Sequence, residues 1–218
     1  MKKIVLSFLL ATFFVGQASA GILLEPYLGY NFNGTIEEGP SNSDVDEHEY
    51  SGLTYGGRLG FTMAGFMGGF DYSASSYTLE QTKDPGSATN SDVGNKQDAS
   101  HTRMGLFVGY ELPIMFRFWA TYFFKTTMEV DGQANNTVDL GGTGAVAEYD
   151  GSGFGIGLGY TAIPMLSFNF EYRVITYDEL SFSGATAALP VDGNATLGTM
   201  GEQEATEMIF SVSIPLNF

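Results

Sequence analysis

The last nine residues of the chain are apolar at every second position and mostly polar between them. Because successive side chains of a β-strand point to opposite faces, this spacing predicts a strand with one apolar face. Such a strand must turn that face toward a protein core or toward hydrocarbon, and the choice decides the class of protein. The terminal strand ends on an aromatic residue, and its apolar positions are Phe210, Val212, Ile214, Leu216 and Phe218.

The same alternation recurs along the chain and predicts eight strands in all. Three short connections, at 63–65, 112–113 and 163–165, alternate with four long ones at about 34–51, 78–101, 128–151 and 178–205. This pattern predicts an all-β fold, an eight-stranded antiparallel up-and-down transmembrane β-barrel. A secreted β-sandwich also alternates, but its strands are seldom this long. The first seven predicted strands cover about 23–33, 53–62, 66–77, 102–111, 114–127, 152–161 and 166–177.

The amino terminus has the features of a secretory leader. Lys2 and Lys3 precede an apolar run that is too short for a spanning helix, and Ala18-Ser19-Ala20 fits a signal-peptidase site. We therefore predict a signal peptide over 1–20 and one barrel domain over 21–218; an uncleaved anchor helix is the alternative. The chain has no cysteine, which excludes disulfides and thiolate metal sites.

Charged residues are predicted to point into the barrel, because a charge on the lipid-facing side near the midplane costs roughly 2–4 kcal/mol. In a lumen this narrow, opposite charges should form ion pairs. The glycines at 153, 155, 157 and 159 would leave room for Arg117, Trp119, Glu171 and Arg173. We interpret the network as a structural polar plug; an ion path or gate is the alternative. Its predicted members are Glu25, Arg58, Asp71, Arg103, Glu111, Arg117, Lys125, Glu171, Arg173 and Glu207.

The long connections are acidic and suggest two further kinds of chemistry. Asp44, Asp46, Glu47 and Glu49 offer closely spaced oxygen ligands that suit Ca²⁺, but they lack the glycine and the twelve-residue pattern of an EF-hand, and a solvated acidic loop is the interpretation that we favour. A histidine base is conceivable if His48 or His101 pairs with Asp46 or Asp98. No G-x-S-x-G nucleophile motif is present, so we predict neither an enzyme nor a cofactor.

Three Gly-aromatic pairs recur at nearly equal spacing, Gly60-Phe61, Gly109-Tyr110 and Gly159-Tyr160, and each precedes a short turn. With the leader and the terminal Phe218, they give a chain that resembles the small eight-stranded outer-membrane proteins, of the type of OmpX and the OmpA transmembrane domain. The resemblance implies a Gram-negative outer membrane with lipid and lipopolysaccharide around the barrel. It also implies periplasmic chaperones, and a barrel-assembly machinery that reads the last strand.

Function is less constrained by the sequence than fold. Without Lys2 and Lys3, seven basic residues face 25 acidic ones, which argues against nucleic acid as a partner. An even strand number places both termini on the periplasmic side. We expect a structural and surface-interaction barrel that can bind an extracellular ligand through its acidic loops. A narrow porin or small-solute channel is the first alternative, and an enzyme with its site at the rim is the second.

Overall fold

The computed structural model describes residues 20–38, 46–83, 96–131, 146–163, 165–183, 195–196 and 203–218. Except for Ala20, the predicted signal peptide lies outside these residues and stays a prediction. The described residues form ten strands. Their bounds are β1 Gly21–Glu38, β2 Asp46–Met63, β3 Phe66–Lys83, β4 Lys96–Glu111, β5 Phe116–Asp131, β6 Val146–Ile163, β7 Leu166–Ser183, β8 Ala195–Thr196, β9 Gln203–Ser213 and β10 Leu216–Asn217.

The sheet closes on itself. Each strand from β1 to β7 pairs antiparallel with the next, and β9 pairs with both β7 and β1. β10 continues the path of β9 along β1, so β9 and β10 together count as the eighth strand of the barrel. The two-residue β8 is an addition that pairs with β7 near its end. At the seam, the backbones of Phe218 and Ile22 exchange two hydrogen bonds of 2.9 and 3.0 Å. The predicted eight-stranded antiparallel barrel is confirmed.

The strands are longer than the apolar pattern predicts. β1 to β7 run for 16 to 18 residues, and the extra residues lie at the ends that meet the long connections, here called the long-loop side. The connections there shrink to 39–45, 84–95, 132–145 and 184–202, the last containing β8. The predicted strand ends on the long-loop side were wrong because the outward side chains become polar where the strands extend past the apolar band. Apolar alternation then stops, although the backbones continue to pair.

The outer surface carries a broad band of exposed apolar side chains, called here the outer belt. Leu28 is 59% exposed on the outside, whereas Arg103 is 0% exposed inside. This arrangement is the reverse of a β-sandwich, which buries its apolar face. Typical members of the outer belt are Leu28, Leu53, Leu59, Phe70, Leu106, Phe118, Phe154, Ile156, Phe168 and Phe210.

The opposite end of the barrel, here the short-turn side, has three tight connections near the predicted places. The turn after β4 covers 112–115 and not 112–113, because β5 begins at Phe116. Ala64 and Gly65 join β2 to β3 with φ angles of 52° and 85°, a left-handed conformation at both central positions. Met115 and Met165 also have positive φ angles in the other two turns. No helix in the part of the chain that the structure describes is long and apolar enough to cross a membrane.

Candidate functional site

The inside of the barrel holds a connected set of ion pairs that we call the lumen network. Arg58 of β2 lies at its centre. Its Nε donates to Asp71 Oδ2 at 2.7 Å, and its Nη2 donates to Glu171 Oε2 at 2.7 Å. Its Nη1 is 3.6 Å from Glu25 Oε1. One guanidinium therefore joins carboxylates from β1, β3 and β7.

Arg117 makes the second crossing of the lumen. It stands on β5, four strands away from β1 and so on the opposite wall of an eight-stranded barrel. Its guanidinium forks onto Glu25, with Nη1 donating to Oε2 at 2.8 Å and Nη2 donating to Oε1. Nη2 also donates to Asn169 Oδ1 at 2.9 Å and to Ser213 Oγ at 3.0 Å. Two-pronged pairs of this kind are strong and directional.

Arg173 and Trp119 complete the part of the network nearer the short-turn side, here the lower cluster. Arg173 Nε donates to Glu171 Oε1 at 2.6 Å, and Trp119 Nε1 donates to Glu171 Oε2 at 3.2 Å. The centre of the Arg58 guanidinium also lies 4.3 Å from the centroid of the Trp119 ring, within cation–π range. Each oxygen of Glu171 therefore accepts a hydrogen bond, and the side chain of Glu171 is buried.

A second group of ion pairs, here the upper cluster, lies closer to the long-loop side. Arg103 of β4 contacts Glu207 of β9 in an ion pair and donates from Nη1 to Ser75 Oγ at 3.2 Å. The hydroxyl of Tyr50 donates to the same Glu207 carboxylate at 3.0 Å. Glu207 in turn lies 4.0 Å from Arg173. This contact links the upper cluster to the lower one.

His101 belongs to this upper cluster and not to a loop. It is 1% exposed, and its Nδ1 is 2.5 Å from Arg103 Nη2. Its ring centroid lies 4.7 Å from that of Tyr77 and 5.5 Å from that of Tyr50. Asp98 is exposed on the outside of the barrel, so the suggested pairing of His101 with Asp98 is wrong. The cause is the early start of β4, which places both residues in a strand.

Apolar clusters flank the ion pairs at both ends. On the short-turn side, Leu23, Met67, Phe107 and Trp119 pack together. On the long-loop side, a larger cluster lies inside the barrel, and the sequence analysis missed it. Its signal was present as aromatic and aliphatic residues at inward positions beyond the outer belt. Its members are Ile36, Tyr50, Tyr77, Leu79, Ala99, Phe123, Met128, Val130, Ala147, Tyr149, Ile175, Tyr177, Leu180 and Ala205.

The glycines of β6 make room for the large side chains, as the sequence indicated. The indole of Trp119 lies directly against Gly157, where it would overlap any added Cβ. At Gly159 an added Cβ would lie 2.7 Å from Arg117 Nε. The inner face of β6, which carries glycine at these positions, therefore lets two bulky groups lie against its backbone.

Two predicted members of the network lie elsewhere. Lys125 is exposed on the outer surface, because a β-bulge between Phe123 and Thr126 adds a residue and reverses the alternation. Glu111 is the last residue of β4 and is half-buried at the short-turn rim. The remaining eight predicted residues are all buried inside the barrel.

The suggested Ca²⁺ site is not assembled as a loop. Asp46, Glu47 and Glu49 lie in β2, and Asp44 lies outside the described residues. Treating these three positions as a loop was wrong. Among the described residues, no group of three or more His, Cys, Asp or Glu side chains could hold a metal ion.

No family model and no curated protein matches the chain. Among solved structures, it is similar to the outer membrane protein AlkL in DMPC lipid bilayers, with 11% identity over 94% of this chain and 93% of that chain and a TM-score of 0.51. It is also similar to Ail of Yersinia pestis in complex with the heparin analogue sucrose octasulfate, with 9% identity over 90% and 99% of the chains and a TM-score of 0.49. Neisserial surface protein A gives 10% identity over 90% and 98% and a TM-score of 0.46.

The likeness to AlkL concerns the fold. This chain thus has the fold of a small eight-stranded outer-membrane barrel, which is the class that its resemblance to the OmpX and OmpA type predicted.

Proposed function

We propose that this chain is an outer-membrane barrel with a closed lumen, which acts as a structural and surface-interaction protein. The observation that carries the proposal is the pair of arginines that bridge the lumen. Arg58 and Arg117 join carboxylates from β1, β3 and β7, so charged groups meet across the whole width of the barrel.

The outer belt supports the location in a membrane. On β1 its apolar side chains extend from Ile22 to Phe32, close to the roughly 9–11 residues that a tilted strand needs to cross a bilayer. Hydrocarbon is the solvent in which such a band is stable. With a cleaved leader, Gly21 and Phe218 would both lie in the periplasm, because both are on the short-turn side.

A closed lumen follows from its contents. An eight-stranded barrel is just wide enough for side chains to fill it, and here ion pairs are stacked between two apolar clusters. A permeating ion would have to separate buried ion pairs, and breaking a pair of this kind costs several kcal/mol. Of the two candidate bases, His101 is buried and offers a substrate no access, and the pairing of His48 with Asp46 stays a prediction. The proposal assigns a catalytic role to neither.

The proposed surface role rests on the outward side chains of the strand ends between the outer belt and the long loops. Acidic side chains that are exposed or half-buried surround the barrel there and form what we call the acidic collar. Lys96 is a cation among them and lies 3.3 Å from Glu80. We expect the collar and the loops beyond it to bind a positively charged extracellular ligand. The collar comprises Glu37, Glu49, Glu80, Asp98, Glu129, Glu148, Asp150, Asp178, Glu179 and Glu204.

Recordings of single barrels in a planar lipid bilayer test the closed lumen. We expect wild-type protein to show no steady conductance. Arg117→Ala should introduce brief openings, because it removes one of the groups that cross the lumen, whereas Lys96→Ala on the outer surface should not. A steady wild-type conductance that is lost in Arg117→Ala or Arg173→Ala would contradict the proposal and favour the narrow channel.

A further inference from the structure

The outer belt has one large hollow near the short-turn side. Its volume is about 1080 Å³ and it crosses β3, β4, β5 and β6, which is at the upper end of the range for small-molecule pockets. Its outward-facing walls are Phe66, Val108, Tyr110, Phe118, Ala120 and Ile156, and the turn at 112–113 borders it.

The hollow exists because small residues lie among large ones. Ala120 pairs with Val108 on one side and with Ile156 on the other, and its methyl group leaves a gap between them. Gly109 and Gly157 contribute backbone without side chains. The rings of Phe66 and Tyr110 meet edge to face, with 4.8 Å between their centroids, and form one wall of the hollow.

We propose that this hollow binds one acyl chain of a phospholipid in the leaflet at the short-turn side. The inference rests on the proposed membrane location, because the hollow is continuous with the outer belt. Its lining, as far as the structure describes the chain, contains no Lys, Arg, Asp or Glu, so the ligand is recognised by its hydrocarbon and not by its headgroup.

A second copy of the chain fits the hollow less well. A two-fold dimer brings the same patch of each protomer together, and two concave patches would enclose a void instead of filling one. Voids forfeit dispersion contacts on all of their lining atoms. A flexible acyl chain can follow the shape of the hollow and restore those contacts.

The chain contains a built-in reporter for this site. Trp119 is its single tryptophan, and it lines the hollow together with Gly157. The indole lies against Gly157 from the inside, so a thin backbone wall separates it from the proposed acyl chain. Bromine atoms on an acyl chain quench indole fluorescence at short range, and a chain in the hollow would therefore quench Trp119.

The test compares Trp119 fluorescence in vesicles of phosphatidylcholine with and without mid-chain bromine. We expect strong quenching in wild-type protein and loss of most of it in Ala120→Leu, which fills the hollow from the outer face. Gly57→Leu adds the same side chain elsewhere on the barrel, where an added Cβ meets nothing closer than 3.6 Å, and it should quench like wild type. Absence of wild-type quenching, or equal quenching in Ala120→Leu, would overturn the inference.

Two controls separate the possible failures. A heat-modifiability gel on the same vesicles shows whether the barrel has inserted; failure of the wild type to insert would count against the membrane location itself. If Ala120→Leu does not insert, Ala120→Val replaces it with the same expected loss of quenching. Chemical cross-linking in the vesicles tests the competing occupant, because dimers that form in wild-type protein and disappear in Ala120→Leu would assign the hollow to a second copy.

Discussion

At the scale of single residues, the lumen network can be tested at Arg117. Arg117→Ala removes the closer of the two arginines beside Glu25 and leaves Arg58, whose Nη1 is 3.6 Å from the carboxylate. Removing one partner of a buried pair typically costs about 3–5 kcal/mol, and the remaining contact points to about 3 kcal/mol here. Urea unfolding of the barrel in detergent micelles measures the loss.

The matched control is Lys96→Ala, which removes an ion pair whose side chains are 64% and 46% exposed. Exposed pairs contribute about 1 kcal/mol or less. If both variants unfolded at the same urea concentration, the lumen network would not be the stabilising element that we describe.

Gly157 is the second residue-scale test. Gly157→Ala adds a methyl group that would overlap the Trp119 ring. The ring is held in position by the hydrogen bond that its Nε1 donates to Glu171. Overpacking of this kind costs about 1–3 kcal/mol, and the emission maximum of the single tryptophan should shift. Gly57→Ala, where the nearest atom is 3.6 Å from the new Cβ, should change neither quantity. A wild-type spectrum and stability for Gly157→Ala would argue against the observed position of the indole.

At the scale of elements, the turn between β2 and β3 is strained. Both Ala64 and Gly65 have positive φ angles, and for an L-residue other than glycine or asparagine this conformation costs about 1–2 kcal/mol. Two-residue hairpins of this type favour Asn-Gly. Ala64→Asn should therefore raise the stability by about 1 kcal/mol in urea unfolding. An unchanged or lower unfolding midpoint would show that the turn is not strained as described.

The last strand is the second element-scale test. Phe218 makes two backbone hydrogen bonds with Ile22 across the seam, so deletion of Phe218 removes the final closing pair. We expect much less of the deleted protein in the outer-membrane fraction of cells. Phe218→Tyr keeps an aromatic terminus and should insert like wild type. Normal insertion of the deleted protein would contradict an assembly role for this terminus.

The predictability of each element depended on whether the alternation of side chains continued without interruption. The outer belt and the positions of the short turns follow directly from the period of two, and so do eight of the ten lumen charges. Lys125 was misplaced because a β-bulge is a single inserted residue that leaves no mark in the composition. The strand ends were missed because their outward residues are polar, like those of a loop.

At the scale of the whole molecule, the barrel reverses the usual distribution of polarity. Its largest fully buried side chains include Arg103, Arg117 and Arg173, while dozens of apolar side chains are exposed. A soluble protein of this size could not leave so much apolar surface in water. The apolar cluster on the long-loop side was missed because many of its inward residues lie on the strand ends that the apolar pattern of the outer face does not reveal.

Removal of detergent from the folded barrel tests the central claim, that the outer belt faces hydrocarbon. The purified protein would be transferred from micelles to plain buffer and followed by sedimentation and by a heat-modifiability gel. The account predicts that the protein aggregates in buffer and regains a heat-modifiable band when lipid vesicles are supplied. A folded, monodisperse monomer in plain buffer would contradict it.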